Sequence, residues 1–190
     1  EIKKYFQTSS DVIKNLHSHE IKIRNICDQI ISANKRGNKI LVAGNGGSCS
    51  DAEHFVGELQ CTYKDRDRKP ISAISLGSLP AALTAWSNDF GFNTFFKRQV
   101  QAHGAKGDIL ILISTGGGDI KTGQSMSLVQ AAEEAKKKNL KVFSLIGKSG
   151  GKLKEISDIE ITVESNTTSF IQEAHISILH CICENFEDKL

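Results

Sequence analysis

A histidine and a glutamate four residues apart, His54 and Glu58, are the two side chains of this sequence best placed to do chemistry together. Residues i and i+4 of a helix lie on one face, so both side chains can reach the same ligand. An imidazole and a carboxylate in this arrangement can share a metal ion, or they can divide the roles of acid and base. Their spacing alone leaves both uses open.

The residues just before this pair predict a buried strand, a glycine turn and a helix start in immediate succession. The apolar run 40–43 is typical of a strand inside a parallel sheet. Three glycines then allow a sharp turn that exposes backbone amides, namely Gly44, Gly46 and Gly47. The next helix is predicted to begin at about residue 50, and its candidate capping residues are Ser48, Ser50 and Asp51. Because a helix N-terminus attracts anions, we expect a ligand-binding corner here.

A second junction of the same kind follows the most apolar strand, residues 108–113. Ser114 and Thr115 stand directly after this strand and lead into a glycine run, and Ser125 lies near the start of the next helix. Hydroxyl groups beside free backbone amides suit a phosphate group. The same residue types also cap helices, so a purely structural role for them is open as well.

Strands and helices alternate along the chain, which predicts one α/β domain over 1–190 with a doubly wound, five-stranded parallel sheet. Ligands of such folds bind beyond the carboxyl ends of the strands, where both glycine loops lie. The apolar spacing of 2–34 predicts a long N-terminal helix, whose length suggests packing between subunits. The last helix, 168–187, carries polar residues such as His175 on a largely apolar surface. For one such histidine, a hydrogen-bonded place in the core is the commoner role.

The overall composition limits the classes of function. With 24% charged residues and a net charge of +2, the chain lacks the basic surplus that nucleic-acid binding requires. Five scattered cysteines without a zinc-type C-x-x-C pair are typical of reduced thiols in a cytosolic protein. The sequence has no apolar run near twenty residues and no signal-peptide pattern. We therefore expect a soluble cytoplasmic protein that binds neither nucleic acid nor membrane.

Two polar segments carry no clear chemical signal. The charged run 64–69 is most simply a solvated loop. The segment 88–93 combines polar and aromatic residues around a glycine, and it is predicted to be a loop between two helices. Such a loop can reach a ligand, and its residues can equally cap the flanking helices.

Six blocks of the sequence together resemble the phosphoheptose isomerases, a family of the sugar isomerase (SIS) superfamily. The blocks are residues 43–48, 51–55 with Glu58, 88–93, 107–115, 158–161, and 171–175 with His180. The resemblance extends from the first helix to the last. It implies the SIS fold, a five-stranded parallel sheet flanked by helices. It also implies a homotetramer whose active sites lie between subunits and bind a phosphorylated seven-carbon sugar.

The resemblance implies a reaction, the conversion of sedoheptulose 7-phosphate into D-glycero-D-manno-heptose 7-phosphate for heptose-containing surface polysaccharide. A proton moves between C1 and C2 through an enediol, which requires an acid–base pair, and Glu58 and His180 match that pair by position. Family members can hold Zn²⁺ with residues that match His54, Glu58, Gln172 and His180. The residues that match contacts to the sugar or its phosphate are Asn45, Gly46, Gly47, Ser48, Asn88, Asp89, Ser114, Thr115, Ser125 and Gln172.

The geometry of a helix constrains the implied zinc site. Gln172 and His180 are eight residues apart, which is roughly 12 Å along a helix axis. Two ligands of one zinc ion lie only about 3 to 3.5 Å apart. One straight helix can hardly supply both ligands. We therefore expect that the site combines residues from two chains, or that this helix is bent.

The loop after Thr115 departs from the family pattern. The simplest alignment gives an insertion of six residues, 116–121, whereas an alignment without a gap puts Asp119 where a phosphate-binding serine belongs. A carboxylate there would repel phosphate. Two other functions therefore stay open, isomerisation of another phosphosugar and a non-catalytic tetramer like the SIS relative that binds a bacterial replication initiator. That relative lacks counterparts of Glu58 and His180, so their presence here favours an enzyme.

Overall fold

A five-stranded parallel sheet lies at the centre of the molecule. In the computed structural model, which describes residues 1–187 and 189, its strands are β1 (Ile40–Gly44), β2 (Ala73–Ser75), β3 (Ile109–Ser114), β4 (Lys141–Gly147) and β5 (Ile159–Val163). Their order across the sheet is β2-β1-β3-β4-β5, and each neighbouring pair is parallel. Apolar residues dominate the central strands because both faces of the sheet are covered.

Helices cover both faces of this sheet. They are α1 (Ile2–Asn15), α2 (Glu20–Lys35), α3 (Gly47–Gln60), α4 (Pro80–Phe90), α5 (Phe95–His103), α6 (Met126–Lys137), α7 (Gly151–Ile156) and α8 (Thr168–Glu187). One core, around Phe55 and Ile178, joins the sheet to α2, α3 and α8, and a second core, around Phe95 and Leu128, joins it to α5, α6 and α7. The predicted doubly wound fold is therefore confirmed. Within the described residues, no helix has the length and apolar character needed to cross a membrane.

The predicted N-terminal helix is confirmed as a helical segment from Ile2 to Lys35, which one tighter turn divides into α1 and α2. The turn is a 3₁₀ helix over Leu16–His19. Within it, Ser18 Oγ donates a hydrogen bond to the carbonyl of Asn15 at 2.8 Å. Polar side chains that bind nearby carbonyl groups compete with the regular helical pattern, which explains the interruption.

A buried aspartate fixes β1 and β3 to each other at the amino edge of the sheet, opposite the glycine loops. The side chain of Asp108 is 1% exposed, and its Oδ2 lies 2.6 Å from Lys39 Nζ. It also accepts hydrogen bonds from the backbone N–H of Lys39 at 3.0 Å, from Asn38 Nδ2 at 3.1 Å and from the N–H of Ala105 at 2.9 Å. Burial alone would raise the pKa of Asp108, but these donors hold that pKa below its ordinary value.

The charged run 64–69 differs from the predicted solvated loop because it contains one buried cation. Arg68 is only 7% exposed, and its guanidinium pairs with Glu187 at the end of α8. The other five residues of the run are exposed. Whether one member of a charged run is enclosed depends on partners that come from elsewhere in the chain, so the local composition cannot identify it.

Candidate active site

Two glycine loops lie side by side at the carboxyl edge of the sheet. One loop joins β1 to α3 and the other joins β3 to α6, and β1 and β3 are neighbouring strands at which the strand order reverses. This switch point is where ligands bind in doubly wound folds. Asn45 of the first loop donates from Nδ2 to Ser127 Oγ of α6 at 3.4 Å. The structure thus brings the two predicted substrate-binding segments together.

Gly46 makes the turn from β1 into α3. Its backbone angles, φ 57° and ψ −124°, lie in a region that residues with side chains rarely adopt. This turn allows α3 to begin at Gly47, earlier than the sequence predicts. The prediction that Ser48, Ser50 and Asp51 cap the helix is therefore wrong, because all three lie inside its first turns. Ser48, a predicted substrate contact, is buried at 3% exposure.

Three side chains from two helices form a cluster, which we call the His–Glu–His cluster: His54 and Glu58 of α3, and His180 of α8. His54 Nε2 lies 3.1 Å from Glu58 Oε1 and 3.5 Å from His180 Nε2. One nitrogen or oxygen atom of each residue lies within 4.8 Å of the other two. The two histidines are 126 positions apart in the chain, and the packing of α3 against α8 brings their rings to 5.0 Å between centroids.

The His–Glu–His cluster is accessible from one side. The side chains of His54 and Glu58 are 48% and 23% exposed. The ring of Tyr63 stacks on the ring of His180, with 6.1 Å between centroids and 27° between planes. A ligand can therefore reach the cluster, while Tyr63 limits the movement of the His180 ring.

Asp51 adds a partly buried carboxyl group one helical turn before His54. Its Oδ2 is buried and has no hydrogen-bond partner among residues 1–187 and 189. Burial raises the pKa of Asp51 above its ordinary value, and the nearby His54 and His180 offset this rise only in part.

The His–Glu–His cluster fits a zinc-type cation. Protein nitrogen and oxygen ligands lie about 2.0 to 2.2 Å from Zn²⁺, so that ligand atoms in a tetrahedral site are about 3.3 Å apart. The separations of 3.1 Å and 3.5 Å around His54 Nε2 lie on either side of this value. Three protein ligands and an open position are typical of catalytic zinc sites.

Gln172, a predicted metal ligand, lies at the other end of the interface between α3 and α8. Its Nε2 is 2.7 Å from the position that a Cβ on Gly47 would occupy, so the glycine leaves room for this amide. Because α8 is a continuous helix, Gln172 and His180 are separated by about 12 Å along its axis. The structure thus places Gln172 beside the first glycine loop, away from His180 of the same chain. Its role as a ligand stays a prediction.

The second glycine loop places the predicted phosphate-binding residues at the start of α6. Ser114 is 4% exposed, and its Oγ accepts the N–H of Gly117 at 3.0 Å and lies 3.4 Å from Ser125 Oγ. Ser125 is the N-cap residue of α6, with a left-handed φ of 58°. Thr115 is half-buried beside them. Hydroxyl groups at a helix N-terminus suit an anion, and their role as phosphate ligands stays a prediction.

Residues 116–121, the predicted insertion, fold against the turn that starts α7. The carbonyl groups of Gly117 and Gly118 accept hydrogen bonds from the N–H groups of Leu153 at 2.8 Å and Lys152 at 3.0 Å. A Cβ on Gly117 would lie 1.9 Å from the carbonyl oxygen of Gly150, so no side chain fits there. The glycine run therefore allows this loop to pack closely against the backbone turn at Gly150, in addition to any contact with a ligand.

Substitution of Gly117 by alanine is expected to destabilise the protein by at least about 2 kcal/mol, because a methyl group would clash with Gly150 and the residue has a φ of +71°. Gly123→Ala is the matched control, since Gly123 has a similar φ of +75° but open space around its Cβ position. That variant should lose only about 1 kcal/mol, from backbone strain. Urea unfolding of both proteins measures the difference, and equal losses would show that the Gly117–Gly150 contact is not tight.

The sequence predicts that Asn88 and Asp89, two predicted substrate contacts, lie in a loop. In the structure both residues lie in the last turn of α4. Gly91, with a φ of 83°, ends this helix. Both side chains are exposed, and Asn88 Nδ2 donates to Asp89 Oδ1 at 2.8 Å. The structure leaves them accessible to a ligand, and their contact with substrate stays a prediction.

The doubly wound parallel sheet with two glycine loops at its switch point is the architecture of an SIS domain protein. The SIS domain family matches residues 4–147. Over 189 residues the chain is 38% identical to a probable phosphoheptose isomerase of Thermoplasma acidophilum, and the match covers 100% of this chain and 99% of that one. Over 187 residues it is 42% identical to the phosphoheptose isomerase of Helicobacter pylori, covering 98% and 94%.

A solved structure agrees with these relatives. The phosphoheptose isomerase from Francisella tularensis matches the structure with a TM-score of 0.91 at 34% identity, covering 98% of this chain and 96% of that one. The chain belongs to the phosphoheptose isomerase family. The fold that the resemblance implies is thereby confirmed over nearly the whole chain.

Proposed function

We propose that this protein is an aldose–ketose isomerase that interconverts sedoheptulose 7-phosphate and D-glycero-D-manno-heptose 7-phosphate. The observation that carries the proposal is the His–Glu–His cluster between α3 and α8, in a chain of the phosphoheptose isomerase family. Within this proposal, residues 1–190 form one SIS domain that acts in the cytoplasm and supplies heptose for surface polysaccharide. An adaptor without chemistry would not require an imidazole and a carboxylate held together between α3 and α8.

The proton transfers are assigned to two members of the cluster. Glu58 accepts the proton from C1 of the ketose and returns it to C2, because a carboxylate at this position can serve first as base and then as acid. His180 moves the second proton between the two substrate oxygens. The contact of 3.1 Å between His54 Nε2 and Glu58 Oε1 orients the carboxylate for the first step.

The phosphate of the substrate is assigned to the second glycine loop. Ser114, Thr115 and Ser125 lie at the N-terminus of α6, where hydroxyl groups and backbone N–H groups favour an anion. Asn45 of the first loop reaches Ser127 at the start of α6, so it is suited to the sugar hydroxyl groups. The binding of a remote phosphate holds C1 and C2 in place for proton transfer.

We propose Zn²⁺ as the cofactor, held by His54, Glu58 and His180. When bound, the ion would polarise the substrate carbonyl and stabilise the negative charge of the enediolate. Gln172 is assigned as a further ligand from a neighbouring subunit of a homotetramer. The exposed apolar side chains of α1, among them Ile2 at 77% and Phe6 at 67%, support association between subunits.

Addition of Zn²⁺ is expected to raise the melting temperature of the protein, because a ligand that binds only the folded chain stabilises it by about 2.7 kcal/mol at a hundredfold excess over Kd. The His54→Ala variant should lose most of this increase. His103→Ala, which removes an exposed histidine at the end of α5, is the control and should keep it. Equal increases in all three proteins would mean that zinc binds elsewhere.

Proton NMR with sedoheptulose 7-phosphate in deuterated water tests the proposed reaction directly. The zinc-supplemented protein is expected to form the aldose and to place deuterium at C2, because an acid–base group that takes the proton from carbon exchanges it with solvent. Turnover by the wild-type protein would also show that the loop with residues 116–121 accepts this phosphate. A folded, zinc-supplemented protein without turnover or exchange would overturn the proposal and direct attention to other phosphosugars and to the adaptor role.

A further inference from the structure

A buried guanidinium lies directly behind the His–Glu–His cluster. The side chain of Arg68 is 1% exposed, and the carboxylate of Glu187 that faces it is 6% exposed. Arg68 Nε lies 2.9 Å from Glu187 Oε1. Buried charges are uncommon unless they are paired, and an arginine offers five N–H donors in a rigid plane.

Arg68 holds the last turn of α3, the turn that carries Glu58. Its Nη2 donates to the backbone carbonyl of Glu58 at 2.6 Å and to that of Cys61 at 3.3 Å. Its Nη1 donates to the carbonyl of Leu59 at 3.1 Å and to that of Lys69 at 2.9 Å. The carbonyl groups of Glu58, Leu59 and Cys61 stand at the end of a helix, where carbonyl groups have no partner within the helix itself. The guanidinium therefore fixes the backbone of the residue to which we assign the proton transfer at carbon.

The partner of Arg68 extends the same contact to the helix that carries His180. Glu187 belongs to the last turn of α8, and its carboxylate accepts hydrogen bonds from the backbone N–H groups of Tyr63 at 3.0 Å, Lys64 at 2.9 Å and Asp65 at 3.1 Å. Tyr63 in turn stacks its ring on His180. Burial raises the pKa of Glu187, but the hydrogen bonds that its carboxylate accepts have the larger combined effect. The pKa of Glu187 is therefore below its ordinary value, and the group is a carboxylate.

We propose that Arg68 and Glu187 are positioning residues of the active site, which set Glu58 on α3 and His180 on α8 at their working separation. The pair connects the end of α3, the segment with Tyr63 and the end of α8. Its hydrogen bonds do not involve the side chains of the cluster. Misplacement of a reacting group by about 1 Å can lower a rate roughly a hundredfold. This inference rests on the proposed function for its effect on rate, but not for its effect on the geometry of the cluster.

The alternative is that the pair only stabilises the fold. The protein contains a comparable case, because the buried carboxylate of Asp108 pairs with Lys39 and accepts backbone hydrogen bonds at the amino ends of β1 and β3. Removal of either Arg68 or Asp108 is expected to lower the melting temperature, since each change leaves buried polar groups without partners. A structural role predicts no further difference between them.

The test compares Arg68→Lys with Asp108→Asn in the full chain. Lysine keeps the charge but loses the planar fork that reaches Glu187 and the carbonyl of Glu58 together. We expect Arg68→Lys to lower kcat about 10- to 100-fold at unchanged KM, and to weaken Zn²⁺ binding about tenfold in calorimetry. Asp108→Asn should change neither quantity more than about twofold.

One further measurement needs neither substrate nor zinc. The ring carbon–proton NMR signal of His180 is sensitive to the stacked ring of Tyr63. This signal should move in Arg68→Lys and stay in place in Asp108→Asn. If wild-type protein fails to isomerise the sugar but the signal moves, the proposed function is wrong and the positioning role stands. If the signal, the zinc affinity and kcat all match between the two variants, the positioning role is wrong.

A second variant covers the case in which Arg68→Lys does not fold. Glu187→Gln retains an oxygen that can accept from Arg68 Nε, but replaces the oxygen that accepts from Lys64 and Asp65. We expect a smaller shift of the His180 signal in the same direction. A folded Glu187→Gln protein with an unmoved signal contradicts the inference.

Discussion

The Glu58→Gln protein is expected to isomerise sedoheptulose 7-phosphate roughly a thousandfold more slowly than the wild-type protein, within the range of about 10² to 10⁴ for loss of a general base. Glutamine has the shape of glutamate, but its amide cannot accept a proton from carbon. The side chain is 23% exposed, so the change should leave the fold intact. The NMR assay in deuterated water measures both product formation and deuterium incorporation.

The control for this variant is Glu53→Gln on the same helix. Glu53 is exposed, and its replacement removes the same charge from α3 without touching the cluster. It should retain wild-type kcat within about twofold. If both variants lose activity equally, the effect is one of net charge or folding, and Glu58 is not the base.

His180→Ala should also abolish most of the activity, and the double variant distinguishes a shared mechanism from independent effects. Residues that act as a unit show strongly non-additive losses. The protein with both Glu58→Gln and His180→Ala is therefore expected to be about as slow as the slower single variant. A double variant whose loss equals the product of the two single losses would show that the residues contribute independently.

The fold could be predicted because it depends on local patterns. The apolar strands, the glycine loops after β1 and β3, and the final helix are visible in the sequence, and α8 has the predicted limits, Thr168–Glu187. The start of α3 could not be predicted, since it depends on the backbone angles of Gly46. Propensity favours a serine or aspartate cap, but the glycine turn makes a helix start at Gly47 possible without one.

The candidate site could be predicted only in part. The helical spacing of His54 and Glu58 predicts that these two side chains lie together, whereas only the family resemblance adds His180 to them. In the structure, the packing of α3 against α8 brings His180 Nε2 to 3.5 Å from His54 Nε2. The sequence does not single out Arg68, because it stands in a run of exposed charges and its burial depends on partners outside that pattern, among them Glu187, 119 positions away. The fit of the glycine run to Gly150 is likewise a contact between distant turns, which no local pattern reveals.

His175 makes the stability of the protein depend on pH. The ring is fully buried, its Nε2 lies 3.2 Å from the carbonyl oxygen of Ile146, and its Nδ1 has no partner in the described part of the chain. Burial lowers the pKa of His175 from 6.5 to about 4. The unfolded chain therefore binds the proton more readily than the folded protein, so this contribution to stability is complete above pH 6.5 and is lost as the pH falls toward 4.

The expected loss from His175 is roughly 3 kcal/mol, because each pH unit between the two pKa values contributes about 1.36 kcal/mol. Other groups also titrate on acidification, so the contribution of His175 is obtained as the difference in free energy of unfolding between the wild-type protein and a variant without this imidazole. His175→Gln keeps an N–H donor for the carbonyl of Ile146 but cannot gain a proton in this range. Its free energy of unfolding, measured in urea, should fall less steeply between pH 6.5 and 4 than that of the wild-type protein, whereas the exposed-site control His103→Gln should follow the wild-type curve. Parallel curves for wild-type and His175→Gln would mean that the buried ring accepts its proton without loss of stability, and would contradict the prediction. The apolar surroundings and the unpartnered Nδ1 make a charged ring at this position unfavourable.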